Sequence, residues 1–269
     1  MRSGLPTVLV VLAAFGLAAC GGSGDSVGDE VREAAVLAGK SEDPDEFCRQ
    51  LVTERFVDEV FEGDLDACLE SDVVGGDPGK PIVTAVVNPD GDDSQATVAM
   101  RFEGGDADGV RGHLSFVDEE GEWRLDRFES DYLRSVFTVS LKAVDEGVLA
   151  DPAVQDCMAK RLERQDEQFI RTIMFLSLRD QKESETMTIG LVEECPGQVA
   201  GWVADETLAA YTQSGLDDPA FLRCARRELE ALLPLLDLGS DVIEADPEPA
   251  SEAALEGVTL GVQENCEGG

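Results

Sequence analysis

Side chains that could do acid–base or nucleophilic chemistry are few in this sequence. It has a single histidine, His113, and seven cysteines beside 57 acidic residues. His113 alternates with Leu114 along a predicted strand, so it shares a strand face with Arg111 and Ser115. A Ser-His-Asp or Cys-His site would have to use this one histidine. The functional interpretation makes it a base in a pocket of the sheet, with Arg111 and Ser115 as the other pocket candidates; the simpler one is a polar strand residue.

One acidic turn has side chains that suit a hard cation. The segment 88–93 reads NPDGDD, and calcium takes carboxylate and carbonyl oxygens. An EF-hand would need a glutamate near the twelfth position, where this chain has Ala99. A solvated turn between strands is the simpler interpretation, and a calcium-dependent binding protein is kept as an alternative. Two carboxylates for glycoside chemistry cannot be singled out among 57.

The prediction from this inventory is therefore a protein that is not an enzyme. No catalytic, cofactor-binding or metal-binding residue is predicted, and no cofactor. A small-molecule hydrolase or isomerase working in a front-domain pocket around His113 is the less favoured alternative.

The first 19 residues, MRSGLPTVLVVLAAFGLAA, have the pattern of an export signal. A positive charge at Arg2 precedes an apolar run, which ends in small residues. The apolar run of about 15 residues is short for a membrane span, which needs about 20.

The end of this segment, Leu17-Ala18-Ala19-Cys20, resembles the lipobox of bacterial lipoproteins. That resemblance implies lipid on Cys20, cleavage before it, and a membrane anchor on the extracytoplasmic side of the cell envelope, because two acyl chains hold a protein stably. The Gly- and Ser-rich start of 20–43 is typical of a flexible tether.

The charge of the chain restricts its partners. A formal charge of −36 argues against nucleic acid, whose phosphates require a basic surface. The acidic residues are spread along the chain, which indicates a solvated surface.

If Cys20 carries lipid, six cysteines remain, and an even number of cysteines in an exported protein suggests disulfides.

Two pairs of segments in the second half of the sequence match each other. Segments 149–153 and 216–220 read LADPA and LDDPA, and segments 188–195 and 259–266 read TIGLVEEC and TLGVQENC. We interpret them as a duplicated unit of three helices with copies at 131–196 and 197–269. In an antiparallel hairpin the start of one helix lies beside the end of the next, which predicts the disulfides Cys157–Cys195 and Cys224–Cys266. The glycines at 190 and 261 fall inside predicted helices, and we expect close helix–helix contact there.

Residues 44–130 have a different pattern. A helix begins near Cys48, and period-2 segments follow, with a hairpin turn at 118–121. The remaining pair is Cys48–Cys68; an unbroken helix over 45–62 would separate them too far, so we predict a break with Thr53 as the new cap and Gly63 at its end. Helices followed by an antiparallel meander indicate an α+β domain.

The order helix, cysteine pair, strands and a final strand, Gly121-Glu122-Trp123-Arg124-Leu125, is similar to the NTF2-like (cystatin-like) superfamily. That resemblance implies a curved sheet wrapped around helices, with a pocket that many members use for binding.

The predicted organisation is therefore a signal peptide at 1–19, a lipidated cysteine and flexible linker at 20–43, an α+β NTF2-like domain at 44–130, and an all-α domain of two disulfide-linked three-helix repeats at 131–196 and 197–269. The predicted function is a membrane-anchored extracytoplasmic lipoprotein. Its predicted role is to bind an unidentified small molecule or protein, or to act as an envelope scaffold.

Overall fold

A computed structural model of the chain describes residues 26–71, 77–88, 94–179, 181–233 and 249–267. The predicted signal peptide, Cys20 and the lipobox lie outside the described residues, as do residues 89–93 of the acidic turn.

The first described element is helix α1, which spans Ser26–Lys40. Its Val31 and Ala35 are completely buried, and it packs against the sheet. The predicted flexible linker over 20–43 is therefore wrong for this part, because apolar residues spaced by four give α1 a face for the core.

A broken helical segment precedes the sheet. Helix α2 (Pro44–Glu46) continues into a π-helical turn (Phe47–Leu51), and α3 (Glu54–Phe61) and α4 (Leu65–Glu70) follow. The break falls where the sequence predicts it. The Thr53 hydroxyl accepts a hydrogen bond from the Phe56 N–H at 3.1 Å, and the chain leaves α3 through Glu62 and Gly63, both at positive φ. This bend allows the predicted Cys48–Cys68 disulfide.

Four antiparallel strands form one sheet in the order β1-β2-β3-β4: Lys80–Val87, Gln95–Glu103, Arg111–Glu119 and Glu122–Phe128. The period-2 pattern correctly identifies the core face, since alternate residues of β2 are buried: Ala96, Val98, Met100 and Phe102. Strands β3 and β4 are joined by a two-residue turn in which Glu120 has φ 58° and Gly121 has φ 91°. The coarse α+β prediction is confirmed.

The rest of the described chain is helical. It comprises α5 (Ser130–Lys142), a 3₁₀ turn (Val148–Ala150), α6 (Pro152–Leu162), α7 (Glu167–Arg179), α8 (Gln181–Glu193), α9 (Pro196–Gln213), α10 (Pro219–Leu232) and α11 (Pro249–Glu267). The helix predicted in the middle of the first copy is broken, because the Asp166 side chain accepts a hydrogen bond from the Phe169 N–H at 2.8 Å and starts α7. Residues 130–193 therefore hold four α-helices where three per copy are expected. The starts of α6 and α10 do match, with Asp151 and Asp218 as N-caps before a proline.

The two helical disulfides are the predicted ones, Cys157–Cys195 and Cys224–Cys266. The explanation of the two helical glycines is wrong. A Cβ added at Gly190 or Gly261 would meet no described atom within 4 Å, other than the helix's own backbone. Close helix–helix contact therefore does not require glycine at either position.

The helical part packs on the front part. Arg171 forms an ion pair with Glu59 of α3, and the Arg179 guanidinium donates to the carbonyl oxygens of Glu59 and Val60 at the end of α3. A cation at the carboxyl end of a helix compensates its unpaired carbonyl groups. None of the described helices is both long enough and apolar enough to cross a membrane.

Candidate functional site

An apolar cavity lies between α1, the core face of the sheet and α5. Its volume is about 400 Å³. The sheet contributes alternate residues of its core face, such as Phe102, Leu114 and Leu125, because period-2 alternation sends them to one side. Polar groups such as Ser41 and Asp106 also line it.

Helix α5 forms one wall of the cavity through a second apolar stripe. Leu133 and Leu141 belong to one buried stripe of this helix. Tyr132, Val136 and Val139 line the cavity, and their spacing of four and three residues places them on one helical face. This second stripe is visible in the sequence by its spacing, and a helix with two apolar faces contacts two neighbours.

A close approach between α5 and β3 fixes this wall. A Cβ at Gly112 would lie 2.4 Å from the Cα of Tyr132 and 2.5 Å from its nitrogen. Only glycine leaves room for the helix backbone at this distance. The boundary predicted between 130 and 131 therefore separates α5 from the sheet on which it packs.

Tyr132 combines an apolar ring with a polar group at the cavity. Its ring stacks on Phe128 at a centroid distance of 5.1 Å and lies tilted against Phe102 at 6.4 Å. Its hydroxyl makes no hydrogen bond with any described residue. Burial raises the pKa of Tyr132 to about 12, so the phenol stays protonated at neutral pH and can donate a hydrogen bond to a bound acceptor.

The predicted pocket residues do not line this cavity. Arg111 and His113 lie on the opposite face of β3, where they border a cleft of about 650 Å³ between the sheet, α5 and α6. The reason is the same alternation, since Leu114 faces the core. Ser115 lies beside a third, smaller depression of about 150 Å³. The structure therefore brings Arg111 and His113 together and separates Ser115 from them.

The His113 ring contacts one carboxylate, but no described residue places a nucleophile beside it. Its Nδ1 lies 2.6 Å from Oδ2 of Asp131, and its backbone N–H donates to Oδ1 of the same residue at 3.1 Å. Its other ring nitrogen, Nε2, makes no hydrogen bond within the described part of the chain. A Ser-His-Asp site would need a hydroxyl at that nitrogen, and no described residue supplies one.

Ser115 interacts with the carboxylate of Glu129. Burial acts to raise the pKa of Glu129, but hydrogen bonds from Ser115 and Arg127 outweigh it and hold that pKa below its usual range. Arg127 donates to this carboxylate at 2.8 Å. Ser115 thus supports a local ion pair at the end of β4.

Among the described residues, no group of three or more histidine, cysteine or carboxylate side chains is placed to hold a metal ion. The acidic turn of the calcium alternative lies almost wholly outside them. No protein-family model matches the chain, and neither a characterised protein nor a solved structure is similar enough to match it.

Proposed function

We propose that this chain is a membrane-anchored extracytoplasmic lipoprotein whose front domain binds a small apolar molecule in the cavity between α1, the sheet and α5. One observation carries the binding proposal: the cavity is lined by aromatic and aliphatic side chains and includes the Tyr132 hydroxyl, which makes no hydrogen bond with any described residue. Ligand sites are mostly apolar, with a few polar groups that fix orientation.

The size of the cavity defines the class of ligand. Pockets for small molecules run from about 300 to 1,000 Å³, and this one has about 400 Å³. A compact apolar molecule with one acceptor group, such as a carbonyl or an ether oxygen, fits both the lining and Tyr132. The NTF2-like resemblance supports the same proposal, because a pocket between a sheet and helices is what it implies.

The count of cysteines supports the anchor. Three disulfides use six of the seven cysteines, so Cys20 alone has a thiol without a partner in this chain. A lipobox cysteine must keep a free thiol for the thioether. The disulfides also agree with an oxidising compartment outside the cytoplasm. In this proposal the helical part is two copies of one disulfide-linked unit, supported by the matching N-caps and cysteines.

Native mass spectrometry of the non-reduced protein, purified from its own membranes, tests both parts of the proposal. We expect a chain that begins at Cys20 and carries lipid, three disulfides, and a further mass that is lost on unfolding. An unmodified amino terminus would contradict the anchor. That result would leave the cavity proposal intact.

Two variants and a matched control test the cavity by titration with the neutral apolar fluorophore N-phenyl-1-naphthylamine. Val136→Trp fills the cavity and should abolish probe binding, whereas Val87→Trp, at a position 59% exposed on β1, should leave it unchanged. Tyr132→Phe keeps the volume and removes the donor, so an acceptor-bearing natural ligand should bind about 2- to 12-fold more weakly. Equal probe binding by the two tryptophan variants would refute the cavity as the site.

A further inference from the structure

The cleft on the outer face of the sheet concentrates positive charge in an acidic protein. The chain has 21 lysines and arginines against 57 acidic residues. Four of these cations line this one cleft, together with the only histidine: Arg101, Arg111, Arg134, Lys142 and His113. The acidic residues that line it are two, Asp131 and Glu163.

Two of the cations have no polar partner for their side chains among the described residues. Arg101 pairs with Glu103, and the Arg134 guanidinium donates to Ser130 and to the Gln165 carbonyl. By contrast, the side chains of Arg111 and Lys142 make no ion pair or hydrogen bond with any described residue. In a chain with almost three acidic residues for each basic one, two cations that line one cleft and have no described polar partner are unexpected.

The strand register places two arginines side by side. Arg101 and Arg111 are directly paired across β2 and β3, and both line the cleft, so they share the outer face. Like charges at such positions are destabilising. Glu103 offsets this repulsion at Arg101, and a bound anion beside Arg111 would offset it on the other side.

The cleft also supplies a hydroxyl donor. The Ser135 hydroxyl oxygen accepts a hydrogen bond from the Arg111 N–H at 2.9 Å, and its own hydrogen is not used by any described acceptor. A guanidinium, an ammonium and a hydroxyl are the groups that bind phosphate and carboxylate oxygens.

We propose that this cleft binds a small soluble molecule bearing a phosphate group, with Arg111 and Lys142 as its charge partners and Ser135 as a neutral donor. A soluble ligand is favoured over a phospholipid surface because the strongly negative chain is repelled by anionic lipid. The site lies on the opposite face of the sheet from the apolar cavity, and α5 borders both.

Calorimetric titration of the full-length protein with inorganic phosphate and with pyrophosphate, at constant ionic strength set with sodium chloride, tests the site. We expect saturable binding, tighter for pyrophosphate because it carries more charge. Arg111→Gln and Lys142→Gln should each weaken it by about 10-fold or more, since hydrogen bonds to charged groups are among the strong ones. Neither side chain contacts a described residue through a polar group, so both variants should fold.

Lys40→Gln is the matched control. It also removes one lysine from the last turn of a helix, α1, but Lys40 does not line the cleft. The affinity of the Lys40→Gln variant for both anions should therefore equal that of the wild type. Equal losses in Lys40→Gln and Lys142→Gln would overturn the site in favour of general charge screening. No binding of either anion by the wild type would also overturn it.

Discussion

Substitution of Gly112 tests the contact on which the cavity depends. In Gly112→Ala, the new Cβ would lie 2.4 Å from the Cα of Tyr132 and 2.5 Å from its nitrogen. Both atoms belong to the backbone of α5, so no side-chain rotation relieves the overlap. Because carbon atoms pack at about 3.5–4.0 Å, α5 would have to move away from β3 by roughly 1 Å.

The expected cost follows from two contributions. Overpacking of a well-packed core costs about 1–3 kcal/mol, and this contact belongs at the upper end because the helix itself must move. Gly112 also has φ 155°, a sparsely populated conformation for other residues that adds about 1 kcal/mol or more. We expect a loss of about 3–4 kcal/mol in the free energy of unfolding.

Chemical denaturation followed by circular dichroism measures this loss, and Gly190→Ala is its control. Gly190 lies within α8, where an added Cβ would meet no described atom outside the helix's own backbone. Alanine there should raise stability by up to about 1 kcal/mol, the helix propensity difference. If Gly112→Ala proved as stable as Gly190→Ala, the close approach of α5 to the sheet, and with it the wall of the cavity, would be refuted.

Three further substitutions probe the front domain. Glu120→Asn should raise stability by about 0.5–1 kcal/mol in thermal unfolding, because residue 120 has φ 58° in the β3–β4 turn and asparagine tolerates that conformation better than glutamate does. An unchanged midpoint of thermal unfolding would argue against this turn. Thr53→Ala should cost about 2 kcal/mol in urea unfolding, since it removes the cap of α3 and the hydrogen bond to the buried Asp126 at 3.0 Å, whereas Thr53→Ser should retain most of the stability. Glu129→Gln should destabilise the protein above about pH 4.5, the ordinary pKa of the Glu129 carboxyl, because the pKa of this carboxyl is lowered in the folded state. The difference in stability between the variant and the wild type should disappear as the pH falls through the folded-state pKa. A difference that does not depend on pH would contradict the ion pair.

The sequence predicted those features that depend on local chemistry. Prolines and capping aspartates mark the starts of α6 and α10, and alternation identifies the core face of β2. Cysteine parity together with the internal match gave all three disulfide pairs. The residues that indicate each of these features lie close together in the sequence, or they recur at matching positions in the two similar segments.

The candidate site was predicted less well, because it depends on which elements meet. Alternation shows that Leu114 and His113 face opposite sides of β3, but not which side is covered by α5. Alternation alone therefore predicts a pocket at Arg111, His113 and Ser115, none of which lines the apolar cavity. Likewise, a Gly- and Ser-rich start concealed α1, whose apolar residues gain their stability only against the sheet.

The double role of α5 links the two parts of the chain. Tyr132 and Val136 line the cavity, while Leu133 and Leu141 are buried on a helix that also packs against α6 and α7. A molecule bound in the cavity would contact α5 directly and stabilise its position against the sheet. Because α5 also packs against α6 and α7, a ligand that holds α5 in place would stabilise the packing of these two helices as well.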